Sequence, residues 1–255
     1  MEANFLFFFP LFDFLQSFGS LKFIQLRKSL KLIETTDFHR IPNLEKSVLK
    51  GFINLRSLHP SIGVCKKLTF LNLKGCKNLT SLPSKFEMES LEIIILSNCS
   101  NLKRIPEFGE NMKSVLRLYL DGTAITKLPT SIGNLTGLTP LNLKDCKNFR
   151  SLPSKFEIEF LEILILSSCS NLKRIPEFGE KMESVSELYL DGTTISKLPT
   201  SIGNLTGLAS LNAKDYKNLM SLPSTFFNVK WLKDFNLSRC SKLLENLVTE
   251  KCEGG

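Results

Sequence analysis

Leucine and its aliphatic substitutes recur along the chain in one figure, L-x-x-L-x-L-x-x-C-x-x-L-x-x-L-P or a near variant, every 23 or 24 residues. The units begin at Leu21, Leu44, Leu68, Leu91, Val115, Leu138, Leu161, Val185, Leu208 and Leu232. The third runs Leu68, Leu71, Leu73, Cys76, Leu79, Leu82, Pro83; the fourth runs Leu91, Ile94, Leu96, Cys99, Leu102, Ile105, Pro106. The fifth is one residue tighter: Val115, Leu118, Leu120, Thr123, Ile125, Leu128, Pro129. The first two are degraded, with Ser47 and Phe52 where other units hold Leu and Cys. L-x-L places two side chains on one face of a short strand, because strand side chains alternate with period two. L-P then opens a return segment, since proline fixes its own backbone and biases its predecessor toward extended geometry. No unit can bury its leucines alone, but ten stacked units share a continuous core.

A repeat of 20–29 residues with this figure is the leucine-rich-repeat signature. The fold class expected is therefore α/β: a right-handed, curved horseshoe solenoid with a parallel sheet of about ten short strands on its concave face. Pro83, Pro106, Pro129, Pro153, Pro176, Pro199 and Pro223 discourage long helices, so loops and short helical turns are expected on the convex face. The array spans 21–245, between a Phe-rich segment at 1–20 and a tail at 246–255. A longer period is superimposed. Residues 74–137 and 144–207 differ at 13 of 64 positions, the mark of a duplicated three-unit block.

Composition narrows the function classes. Of 255 residues, 42% are hydrophobic and 23% charged, enough to build a core and to exclude wholesale disorder. No apolar run approaches the roughly 18 residues of a membrane helix, so no membrane partner is expected. The net charge of +8 is concentrated before residue 68. No basic stripe interleaved with aromatics accompanies it, which argues against nucleic acid. The nucleotide-binding, hydrolase and metalloprotease motifs are missing, as is any C-x-x-C pair. His39 and His59 lack a Ser, Cys or Asp partner at motif spacing. A non-catalytic protein without metal or cofactor is expected.

Three stretches carry a family resemblance: IPNLEKSVLKGFINLRSLHPSIG (41–63), KKLTFLNLKGCKNLTSLP (66–83) and LYLDGTAITKLPTSIGNLTGL (118–138). They resemble the leucine-rich-repeat region of plant TIR–NB-ARC–LRR disease-resistance proteins, with Cys where many other such repeats have Asn. The resemblance implies an intracellular receptor, cytoplasmic or nuclear. Its repeats would recognise a pathogen effector, directly or through a guarded host protein, and hold the receptor off through its NB-ARC domain. No P-loop, TIR or jelly-roll pattern accompanies the repeats, so a truncated receptor is expected. The alternative is an extracellular repeat protein. It would use residues 1–20, with seven phenylalanines, as a signal peptide, and the N-x-[ST] sequons at Asn78, Asn98, Asn134, Asn204 and Asn236. Glu2 and Asp13 fit a signal peptide poorly, and the L-x-x-N-x-L-x-G-x-I-P repeats of secreted receptors are absent. Residues 1–20 are read instead as an apolar flap over the first unit or as a wrongly assigned first exon, with Leu243, Leu244, Leu247 and Val248 folding over the last.

Two side-chain sets remain. Cys76, Cys99, Cys146, Cys169 and Cys240 share one motif position and are expected as buried, reduced thiols packing as small hydrophobes. Thr123, Thr193 and Tyr216 replace Cys there, while Cys65 and Cys252 lie off the ladder. The candidate binding residues flank the core leucines on the solvent side of the strands: Asn72, Ile95, Tyr119, Asn142, Ile165, Tyr189 and Asn212. Lys74, Asp121, Lys144, Asp191 and Lys214 lie two positions on, with Ile93 and Ile163 alongside. Exposed Ile and Tyr on a sheet suit a protein partner, where aromatics concentrate binding energy. The competing reading is that Ile and Tyr simply favour strands and that duplication copied them.

Overall fold

A computed structural model describes residues 19–27, 32–35, 37–216 and 218–243. Its strands are β1 (Phe23–Arg27), β2 (Lys46–Lys50), β3 (Phe70–Asn72), β4 (Lys85–Phe86), β5 (Ile93–Ile95), β6 (Glu107–Phe108), β7 (Arg117–Tyr119), β8 (Pro140–Asn142), β9 (Ile163–Ile165), β10 (Glu187–Tyr189), β11 (Ser210–Asn212) and β12 (Asp234–Asn236). Ten of them form one sheet in the order β1-β2-β3-β5-β7-β8-β9-β10-β11-β12. All its pairings are parallel, as a solenoid that returns to the same edge at every turn requires.

The convex return follows the prolines. Among the described residues, four five-residue 3-10 helices lie at Pro60–Val64, Thr130–Asn134, Thr200–Asn204 and Ser224–Asn228. Pro129, Pro199 and Pro223 precede the last three in extended geometry. The recurring S-I-G segment ties neighbouring units together. Ser131 Oγ accepts from Phe108 N at 2.9 Å and donates to the Glu107 carboxylate; Ser201 Oγ accepts from Phe178 N at 2.6 Å. β4 and β6 form a separate parallel pair on this side.

The core is one ladder of leucines. Leu71, Ile94, Leu118, Leu141, Leu164 and Leu188 are all sealed from solvent, and each is the central residue of its strand. Ser47 occupies that position in β2, buried, its hydroxyl without a hydrogen-bond partner among the described residues. From β2 onward, the turn after each strand of the main sheet needs one left-handed residue. Gly51, Gly75, Asn98, Gly122, Asp145, Ser168, Gly192, Asp215 and Arg239 all have φ between 58° and 76°. Glycine, Asn and Asp fill seven of these nine places because they tolerate that region with least strain.

The expected thiol ladder is present. Cys76, Cys99, Cys146, Cys169 and Cys240 are free and fully buried. Each Sγ donates to a main-chain carbonyl of the preceding unit: Leu49, Leu73, Leu120, Leu143 and Ala213, at 3.0–3.2 Å. Burial pushes the Cys76 thiol up to about 11 and those of Cys99 and Cys169 to about 12. Cys65, off the ladder, is half-buried and donates to Ser61 O at 3.5 Å. The flap expected of residues 1–20 (all but its last two residues), Cys252, and the capping role of Leu244, Leu247 and Val248 lie outside the described residues.

Candidate protein-interaction face

Strand register settles which side chains share a surface. Asn72, Ile95, Tyr119, Asn142, Ile165, Tyr189, Asn212 and Asn236 are aligned across successive strands in one unbroken row. Adjacent strands lie about 4.8 Å apart, so neighbouring members of this row can touch one ligand together. The residues from Asn72 to Asn212 are half-buried, their inner neighbours fully so. Among the described elements the strands of the main sheet pack only on one another, so none covers this face.

A second row runs beside the first, through Lys46, Phe70, Ile93, Arg117, Pro140, Ile163, Glu187, Ser210 and Asp234. Ile93 and Ile163 were legible in the sequence as residues of this face. Phe70, Arg117, Pro140 and Glu187 were missed, although period two alone places them on the same face: each precedes the central leucine as Asn72 or Tyr119 follows it.

The structure gives several candidate residues local partners. The side-chain oxygens of Asn72, Asn142 and Asn212 accept from the main-chain N–H of Lys74, Lys144 and Lys214 at 2.9, 2.9 and 3.1 Å. These are Asx turns, in which a side-chain amide shapes the chain leaving the strand. Asp121 and Asp191 each accept from a buried serine of the preceding unit, Ser97 at 2.7 Å and Ser167 at 2.6 Å. Their carboxylates are thereby fixed in place, half-buried, while Lys74, Lys144 and Lys214 stand exposed.

The duplicated tyrosines differ. Tyr189 Oη donates to Glu187 Oε2 at 2.6 Å, and this bond, with burial second, raises the phenol's pKa. At the matching place beside Tyr119 stands the exposed Arg117. This face offers apolar and aromatic surface with fixed carboxylates and free ammonium groups. Such a set is chemically suited to a polypeptide, which apolar surface would hold by desolvation and fixed charge would orient.

This architecture is that of a leucine-rich-repeat solenoid with an open sheet face. The family model for the leucine-rich repeats of RPS4B-like disease resistance proteins matches residues 86–160 and 156–250, and the chain belongs to that family. It is 35% identical over 234 residues to Disease resistance protein RPS4B of Arabidopsis thaliana, and 34% identical over 235 residues to TMV resistance protein N of Nicotiana glutinosa. Both alignments cover 91% of this chain but 17% and 20% of those proteins, so the chain spans about a fifth of their length. Among solved structures, the leucine-rich repeat domain of the type III effector XopL superposes with a TM-score of 0.68 at 24% identity, covering 84% of this chain and 75% of that one. YopM of Yersinia pestis superposes at 0.58 and 22%, covering 83% and 55%. These likenesses establish the fold.

Proposed function

We propose that this array is the recognition module of a plant intracellular immune receptor, and that its concave face binds a protein: a pathogen effector or the host protein an effector modifies. Membership of a disease-resistance repeat family supports the setting. The single observation that supports the site is the aligned row of Ile95, Tyr119, Ile165 and Tyr189, left uncovered beside Ile93 and Ile163. The NB-ARC domain of such a receptor is the second partner this reading implies.

Two observations disfavour the extracellular alternative. The five ladder thiols are buried and each donates to a main-chain carbonyl, a place that a reduced thiol fills and a disulfide sulfur, with no hydrogen to give, does not. The side-chain nitrogens of Asn134 and Asn204, where a glycan would attach, donate to Phe108 O and Phe178 O at 2.8 and 3.2 Å.

The test is binding to a partner captured from plant tissue. Tyr119→Ala and Tyr189→Ala are expected to weaken it by about 2 kcal/mol, roughly 30-fold in Kd. Lys85→Ala and Lys155→Ala, on the convex side, leave it unchanged. Equal and negligible losses at all four positions reject the concave site.

A further inference from the structure

The duplicated blocks diverge with a direction. Of their 13 differences, two reverse charge, Lys113 against Glu183 and Arg117 against Glu187, and both replace a base with an acid in the second block. Arg117 and Glu187 are also the sole concave strand residues among those 64 positions whose charge changes. On the sheet they belong to a row that carries Lys46 and Arg117 on β2 and β7, then Glu187 and Asp234 on β10 and β12. Every charge in the first half of this row is positive and every charge in the second half negative. The turn row alongside carries Lys50 and Lys74 and then alternates Asp121, Lys144, Asp191 and Lys214, so it adds positive charge to the first end and has no direction beyond it.

Resting on the concave-face reading above, we infer that the occupant is a polypeptide segment crossing the strands with a charge polarity of its own: acidic over Lys46 and Arg117, apolar over Pro140 and Ile163 between Arg117 and Glu187, basic over Glu187 and Asp234. β7 and β10 are three strands apart, so Arg117 and Glu187 are separated by about 14 Å along the sheet. An extended segment rises about 3.3 Å per residue, so its acidic and basic side chains would stand about four residues apart. The two ends also differ beside the tyrosines: Tyr189 donates to the Glu187 carboxylate, whereas the half-buried Tyr119 stands two residues from the exposed Arg117. Complementary charge of this kind fixes the direction of docking and rejects uniformly charged competitors.

Selection of a random library of displayed peptides of about twelve residues on the full chain tests this. On the unaltered protein the enriched sequences should pair an acidic with a basic residue about four positions apart, around an apolar centre. Selection on Arg117→Glu should yield basic sequences, and on Glu187→Arg acidic ones. The double swap, Arg117→Glu with Glu187→Arg, should restore the mixed kind. A peptide selected on the unaltered protein should lose affinity about fivefold to tenfold on either single swap. Enrichment that ignores the swaps, or no enrichment over the starting library, overturns the inference. Tyr119→Ala separates the two levels. If it weakens the selected peptides while the swaps do not re-sort them, the concave face binds and the polarity is wrong. If it too is silent, the concave reading falls with it.

Discussion

Tyr216 occupies a thiol position of the ladder. Its ring is fully buried, and its hydroxyl has no hydrogen-bond partner among the described residues. The carbonyl that its ladder position would face, Leu190 O, already accepts from Thr193 N at 3.2 Å and Thr193 Oγ1 at 2.7 Å. Burial accordingly raises the phenol's pKa, with the Cys240 thiol adding to it. Tyr216→Phe keeps the ring and its packing and deletes the stranded hydroxyl. A buried hydroxyl without a partner costs about 1–3 kcal/mol in proteins, so the variant should be more stable by about 1 kcal/mol. For a chain this long that is about 3 °C in Tm. Tyr216→Cys restores a ladder donor but empties the space of a ring, and should lose about 3 kcal/mol to the cavity. Urea unfolding reads both, with amide exchange across residues 208–240 locating the change. Destabilisation of the Phe variant by 1 kcal/mol or more would show that the hydroxyl is bonded and would refute the reasoning.

The ladder thiols make stability alkali-sensitive. Their folded pKa values lie above the unfolded value near 9.0, so the neutral form favours the fold: stability is intact below pH 9 and falls as pH rises toward 11–12. The loss is about 1.4 kcal/mol per pH unit for each such thiol, and a urea midpoint that stays flat from pH 8 to 10 in reductant contradicts it. Gly207 lies against the preceding unit: a Cβ there would stand 2.3 Å from Glu183 O, whereas one at Gly133 meets nothing nearer than 3.5 Å. Gly207→Ala should therefore cost about 2 kcal/mol by overpacking and Gly133→Ala far less, and equal melting temperatures would sink that distinction.

Most of the fold was legible because the repeat averages out local ambiguity. A single L-x-L is weak evidence for a strand, but the same spacing at Leu71, Leu118, Leu141 and Leu188 admits one solution. The prolines likewise announced the short convex turns. The aligned Ile–Tyr row could be read from the motif, since register follows once the repeats are stacked. The fixed roles of the site were hidden. That Ser97 and Ser167 would turn inward and hold Asp121 and Asp191 depends on contacts between units 24 residues apart. The Glu187–Tyr189 bond likewise requires the strand geometry. Arg117 and Glu187 were visible, but their opposite charges gain meaning only once the strand register places them in one row.

The central claim is that the concave sheet face meets a protein partner. Hydroxyl-radical footprinting of the array with and without its bound partner tests it directly, because tyrosine is readily labelled and Tyr119 and Tyr189 lie on that face. Protection of both tyrosines, with the exposed Phe227 and Trp231 labelled as before, is the predicted result. Protection of Phe227 and Trp231 with Tyr119 and Tyr189 unchanged would contradict it.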